Sequence, residues 1–192
     1  MLNLSKKWFS FFILVVVTGC ASSPQVSNYY LIESIATRSN LSSDQRIVLL
    51  PIQLTDYLKS ANLHVKSDAG LVSYSSNDLW AEQPNKMLWR VIQHSLEGQT
   101  GHHVLASYEA RDNCAKVKIQ LNELSPSVSG DVVTSGRWFI NVEGETLKTN
   151  TFSFLGRVES DGFEASNRVM ASQLNTLASQ LSQEIKNLSL CR

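Results

Sequence analysis

Cysteine is scarce in this chain of 192 residues: Cys20, Cys114 and Cys191 are the three, and no C-x-x-C pair occurs. With no H-E-x-x-H either, the common zinc-binding spacings are missing. So are a phosphate-cradling P-loop, a dinucleotide-binding glycine fingerprint and a G-x-S-x-G elbow, which leaves no local motif for nucleotide chemistry or for a serine hydrolase. Nor is positive charge in excess. Seventeen Lys and Arg balance seventeen Asp and Glu, whereas nucleic acid phosphates call for a basic face, so no nucleic-acid partner is expected. No internal repeat or low-complexity tract occurs, and the apolar run from Trp8 to Val17 is shorter than the ~20 residues of a bilayer-spanning helix.

The residues able to carry chemistry are dispersed. His102 and His103 are neighbours in an expected strand, so their side chains take opposite faces and cannot share a metal. His94 has no partner one helical turn on, and His64 stands alone on a polar strand. Ser127, Ser129 and Gly130 form a turn, while Glu143 and Glu145 flank Gly144 at a hairpin tip, where they read as solvated turn charge and not as an acid/base pair. Trp80, Trp89 and Trp138 read more simply as core or interface anchors than as a ligand platform. No catalytic, cofactor-binding or metal-binding residue is assigned, no cofactor is expected, and the chain is read as non-enzymatic.

What is present begins at the N-terminus. Lys6 and Lys7 precede the apolar run, which closes on small residues, the build of an export signal. Val17-Thr18-Gly19-Cys20 resembles the bacterial lipobox, in which the cysteine thiol receives diacylglycerol before cleavage on its N-terminal side. This makes Cys20 the first residue of the mature chain and its lipidation site. Two or three acyl chains, at about 0.8 kcal/mol per buried methylene, hold where one would be marginal. Ala21, where an aspartate is absent, implies sorting to the inner leaflet of the outer membrane by resemblance to enterobacterial-type lipoproteins. The expected organisation is a signal peptide over 1–19, a lipidated tether over 20–27 and one domain over 28–192. The mature chain keeps 173 residues and a net charge of −2, because the signal takes two lysines and no acid with it. That length suffices for one ordinary core.

Along the domain, Tyr29 to Ile32 and Arg46 to Ile52 read as strands, with Leu63 to Lys66 and Leu71 to Tyr74 as a short hairpin. Pro84 opens a helix whose Met87, Leu88, Val91, Ile92, Ser95 and Leu96 share one face, ending at Gly98 and Gly101. After a short strand at His103 to Leu105, three long strands follow over roughly 115–124, 131–142 and 146–158, a meander. Asp161 to Glu164 reads as an N-cap, and Met170, Leu174, Leu177, Leu181, Ile185 and Leu188 then mark one long amphipathic helix. Two such helices can bury their stripes only against the sheet, so the expected fold is α+β: a two-layer sandwich, mainly antiparallel, with the meander packed by both helices. A helix of ~26 residues returns ~39 Å, about the length of a 12-residue strand. This brings Cys191 back toward Cys114, at the head of the first meander strand, and predicts a disulfide between them in an oxidising compartment.

Lipobox Cys20, Asn28-Tyr29-Tyr30-Leu31, Asp56-Tyr57-Leu58, Asn77-Asp78-Leu79-Trp80-Ala81, Ser135-Gly136-Arg137-Trp138 and Asp161-Gly162-Phe163 occur in an order and spacing that resembles the PqiC (YmbA) family, the auxiliary lipoproteins of MCE-type transport systems. The resemblance spans the whole mature chain. It implies a non-catalytic lipoprotein on the outer membrane that meets an MCE-domain channel protein, on a route for lipids or other hydrophobic molecules that supports membrane integrity. A ring of identical subunits follows if the partner is itself a symmetric ring. Leu79 and Trp80 are candidate partner-facing residues; the alternative is that Asn77-Asp78 forms a turn and Leu79 and Trp80 pack ahead of the Pro84 helix. The competing functional class is a periplasmic lipoprotein hydrolase acting on envelope lipid or peptidoglycan.

Overall fold

The computed structural model describes residues 26–35, 41, 44–109, 114–186 and 188. Among these residues, nine strands and two α-helices run β1 (Asn28–Tyr30), β2 (Arg46–Leu49), β3 (Gln53–Leu54), β4 (Asn62–Lys66), β5 (Val72–Trp80), α1 (Pro84–Thr100), β6 (His103–Ala106), β7 (Ala115–Pro126), β8 (Asp131–Val142), β9 (Glu145–Arg157) and α2 (Phe163–Ile185). The expected α+β architecture is present. The strands divide between a six-stranded sheet, in which β6-β2-β7-β8-β9 lie in that order and β3 extends the pairing at β7, and a three-stranded sheet ordered β1-β5-β4. The meander β7-β8-β9 is antiparallel, but β2 pairs parallel with both β6 and β7, and β3 with β7, so the large sheet is mixed.

The reason lies in β2. Ile47, Val48 and Leu49 are all fully buried, the continuous apolar run of a strand covered on both faces, as parallel strands usually are. Ile47 and Leu49 join the main core, while Val48 packs with Cys114 under Leu50 and Leu105 on the other side. The helix stripes fall as expected: Met87, Leu88, Val91, Ile92 and Leu96 of α1, and Met170, Leu174, Leu177, Leu181 and Ile185 of α2, are buried against Val117, Ile119, Leu121, Val132, Trp138 and Ile140 of the sheet. One buried polar tie fixes the register of α2, because the Gln173 amide accepts from the Thr134 hydroxyl at 2.6 Å and donates to the Val132 carbonyl at 2.9 Å.

Two local devices shape the meander. Glu143 and Gly144 both take positive φ, 50° and 89°, as the two central residues of a tight hairpin turn require. Opposite the irregularity between Leu121 and Glu123, a Cβ on Gly136 would lie 2.1 Å from the Gln120 carbonyl oxygen, so no other residue fits without moving a strand. Past that bulge Leu124 is buried in the main core, while Glu123 and Ser125 meet β4 on the other side.

α2 departs from expectation at its start. Its N-cap is Gly162, with φ of 107°, and no side chain caps it; Asp161 stands outside. The Glu164 carboxylate pairs with Arg168 one turn on instead of reaching back. At the end of α1, Gly101 takes the left-handed conformation and its N–H donates to the Glu97 carbonyl, so Gly98 lies within the helix. Among the described residues, no helix is long and apolar enough to cross a membrane.

Candidate functional site

Three of the sequence motifs, far apart in the chain, meet at one corner of the molecule. Asn77-Asp78, read from sequence as a turn, lie inside β5, and β1 pairs parallel beside them with Asn28 against Asp78, Tyr29 against Leu79 and Tyr30 against Trp80. Polar residues tolerate this strand because their hydrogen bonds are made across it. Asp78 Oδ1 accepts from Asn28 Nδ2 at 2.9 Å and from the Tyr30 hydroxyl at 3.2 Å, and Asp78 Oδ2 accepts from the Ser75 hydroxyl at 2.6 Å. The hydrogen bonds from Ser75 and Asn28, with Tyr30 adding to them, hold the Asp78 carboxyl below the usual carboxylate range. Burial and then the neighbouring Asp78 charge push the Tyr30 phenol up. The third motif enters through Phe163 at the head of α2, whose ring meets Tyr30 edge-on at 6.0 Å between centroids.

Outside this corner runs an open groove of about 670 Å³ between β1 and α2. Tyr29, Leu31 and Ile35 form its strand side, and Glu164, Asn167, Arg168 and Ala171 its helix side. Tyr29 is 67% exposed and Ile35 58%. Asn167 is buried, and its Oδ1 has no hydrogen-bond partner. Sequence inspection missed this groove because its walls come from segments about 130 residues apart; the motif pair at 28–31 and 161–163 was the signal.

The partner-facing candidates separate. Trp80 is half-buried and packs onto the main core, which favours the packing reading for its ring. Leu79, next along β5 and so on the opposite face, is half-buried beside the exposed Tyr29. Trp89 donates its indole N–H to the Leu49 carbonyl at 3.0 Å, and Trp138 is a core residue whose Nε1 has no partner. The Glu143-Gly144-Glu145 tip is solvent-exposed. Cys114 is buried and disulfide-bonded; Cys20 and Cys191 lie outside the described residues.

His64 is not alone on a polar strand. It is buried, its Nε2 lies 2.8 Å from the Ser125 hydroxyl, and its ring is flanked edge-on by Tyr57 and Tyr74. The pairing arises because the β7 bulge aims Ser125 at β4, which no local pattern reveals. Burial lowers the His64 pKa, opposed in part by the Glu123 carboxylate. As a nucleophile and base the pair has no approach for substrate: Ser125 is 2% exposed and His64 5%. It works as a hydrogen bond joining the two sheets. Among the described residues no group of three His, Cys, Asp or Glu is placed to hold a metal.

Residues 29–185 match the family of ABC-type transport auxiliary lipoprotein components. The chain belongs to that family. It is 25% identical over 186 residues to the intermembrane transport lipoprotein PqiC of Escherichia coli, covering 95% of this chain and 99% of the relative, and equally so to PqiC of Shigella flexneri. Among solved structures, an uncharacterized protein superposes with a TM-score of 0.74 at 19% identity, over 83% of this chain and 99% of its own. A protein of Xanthomonas campestris superposes with a TM-score of 0.68 at 13% identity, over 81% and 93%. These two share the fold. The family is one of transport-associated lipoproteins and not an enzyme family, and its matched span takes in both walls of the groove and, Asn28 excepted, the Asp78 network.

Proposed function

We propose that this chain is the outer-membrane-anchored lipoprotein of an MCE-type trans-envelope transport system, docking the MCE channel protein to the outer membrane for lipid transport and membrane integrity. The observation that carries the reading is the full-length correspondence with PqiC, a lipoprotein named for intermembrane transport, over 95% of this chain and 99% of the relative. Cys20 bears the acyl anchor, and Ala21 directs the chain to the inner leaflet of the outer membrane, with the domain in the periplasm. Docking a symmetric channel calls for a ring of identical subunits, since a single tethered copy would leave equivalent sites on the channel unmet.

The anchor is tested by labelling cells with a fatty-acid analogue. Wild type takes up the label and Cys20→Ala does not; a labelled Cys20→Ala protein overturns it. Docking is tested by in-cell photo-crosslinking from Leu79 and from the Glu143-Gly144-Glu145 tip, followed by identification of the captured protein. Recovery of an MCE-domain protein that disappears with Cys20→Ala supports docking. Failure to capture one from either position, together with hydrolytic activity of the purified domain abolished by one serine or histidine substitution, replaces docking with the hydrolase.

A further inference from the structure

We propose that the groove between β1 and α2 binds an extended peptide segment of a partner protein, added as a further strand on the free edge of β1. Pairing of β1 engages alternate residues. The Tyr30 carbonyl accepts from the Ala81 N–H at 2.9 Å, and the Ile32 N–H is turned to the Met87 sulfur at 3.3 Å. By the alternation of a strand, the N–H and C=O groups of Tyr29 and Leu31 are directed away from β5. Among the described residues β1 ends its sheet, so those groups line an edge that no described strand covers, at the groove whose other wall is α2. An edge strand facing a helix across an apolar cleft is the geometry in which extended peptides are recognised: main-chain hydrogen bonds supply affinity, and pockets for alternate side chains supply specificity.

The lining agrees with that occupant. Tyr29, Leu31 and Ile35 are large apolar side chains left 67%, 40% and 58% exposed on one short stretch. Asn167, 7% exposed, lines the helix wall beside Ala171. The rim charges Glu164 and Arg168 already neutralise each other, so a strongly charged ligand gains little. At about 670 Å³ the groove has the size of a cleft for a small ligand or short segment.

This inference deepens the docking reading and rests on it for the identity of the partner; the site itself is tested without that partner. Random dodecapeptides displayed on phage are selected against the detergent-solubilised full chain, and the best sequence is remade with a fluorophore for polarisation measurements. The expected selection is enriched in alternating apolar residues. Leu31→Pro removes the outward N–H while sparing every bond to β5, and weakens binding at least tenfold. Leu155→Arg, on β9, leaves binding unchanged and serves as the control. Selection of no peptide above background overturns the proposal, as does a folded Leu31→Pro that binds as wild type does. If Leu31→Pro instead abolishes self-association in sedimentation, the groove belongs to a second copy and the proposal is likewise overturned. An MCE protein captured equally by wild type and Leu31→Pro leaves docking standing and removes the groove. Peptide binding that obeys the variants while no MCE protein is captured keeps the groove and removes the docking reading.

Discussion

The six-stranded sheet with its two helices is held by an almost wholly apolar interior, whereas β1 is tied to β5 at the corner of the three-stranded sheet by side-chain hydrogen bonds centred on Asp78. In the large layer, Leu174, Leu177, Leu181 and Ile185 meet Ile119 and Ile140 with no exposure at all. In the small sheet, Tyr29 and Tyr74 stay open to solvent. Buried area scales with stability, so the large layer supplies most of the folding free energy. The small sheet adds little to that total and presents an edge strand and a groove. A fold divided in this way can vary its recognition corner without risking its core.

The comparison is broken hardest by Leu177→Asp. Leu177 is fully buried on α2, and an unpaired carboxylate there costs about 4–5 kcal/mol. The monomer should lose its cooperative melt and both sheets should unfold together. A variant that stays folded and merely stops self-associating would assign the stripe to an interface, against the spacing, which lasts fewer than the three to four heptads of a coiled coil.

Next in size is the covalent tie. Cys114 stands at the head of β7, and we propose Cys191 as the other half of its disulfide. Closing that loop contributes roughly 2–4 kcal/mol. Reduction, or Cys114→Ala with Cys191→Ala, should lower the melting temperature of the large layer. Two thiols alkylated in the native, unreduced protein would refute the pairing. Close behind comes Gly136→Ala, at roughly 3 kcal/mol, because its methyl would overlap the Gln120 carbonyl oxygen at 2.1 Å and force β7 and β8 apart. Denaturant unfolding measures it directly, and a loss below 1 kcal/mol would mean the strands adjust more freely than their packing suggests.

Much of the large layer was legible in the sequence because its periodicities are long: an alternation that runs through β8 and up to the bulge in β7, and a 3.6-residue stripe from Met170 to Ile185 of α2. Pairing order was not, since nothing local in Arg46–Leu49 says that its neighbours are β6 and β7. The corner was harder still. Asn77 and Asp78 have the preferences of turn residues, and only contacts with Asn28 and Tyr30, some fifty positions away, make them a strand. The pairing of His64 was hidden for the same reason: its partner Ser125 is aimed by a bulge. The ordered motifs signalled that these segments matter; that three of them converge became visible only in three dimensions.

A smaller, local effect is expected of Asp78→Ala. It removes the acceptor of three hydrogen bonds at a partly exposed site, for about 1–2 kcal/mol. If the two regions are as separable as their packing implies, amide hydrogen exchange should accelerate across β1 and β5 and stay unchanged in β7, β8 and α2. The pH dependence carries a sign. With its folded pKa below the ordinary ~3.9, Asp78 stabilises fully above that value and ceases to do so as pH falls through the folded pKa. The wild-type corner should therefore loosen in acid while Asp78→Ala, already loosened, shows no further change there. Uniform acceleration across both sheets would show that the corner and core open as one unit.

The smallest effect falls on the seam, where His64 of β4 meets Ser125 of β7. Burial lowers the folded pKa of His64 below its ordinary ~6.5. Above that value the ring is neutral in both folded and unfolded chains, and its buried packing contributes in full. As pH falls below ~6.5 the unfolded chain binds a proton that the folded one refuses, so stability declines until the folded pKa is passed. His102, whose pKa is lowered by burial and then by Lys186, titrates in the same window, so the wild-type decline has two sources, each at most about 1.4 kcal/mol per pH unit. Replacing the pair together, His64→Phe with Ser125→Ala, keeps a ring between Tyr57 and Tyr74 and leaves no unpaired hydroxyl behind. Melting temperatures from pH 7.5 to pH 5 should fall less steeply in this double variant than in wild type, with the remaining slope removed by a further His102→Gln. An unchanged slope in the double variant would mean that protonated His64 is accommodated, by Glu123 or by opening of the seam. The two sheets would then be joined less rigidly than the buried His64–Ser125 bond implies.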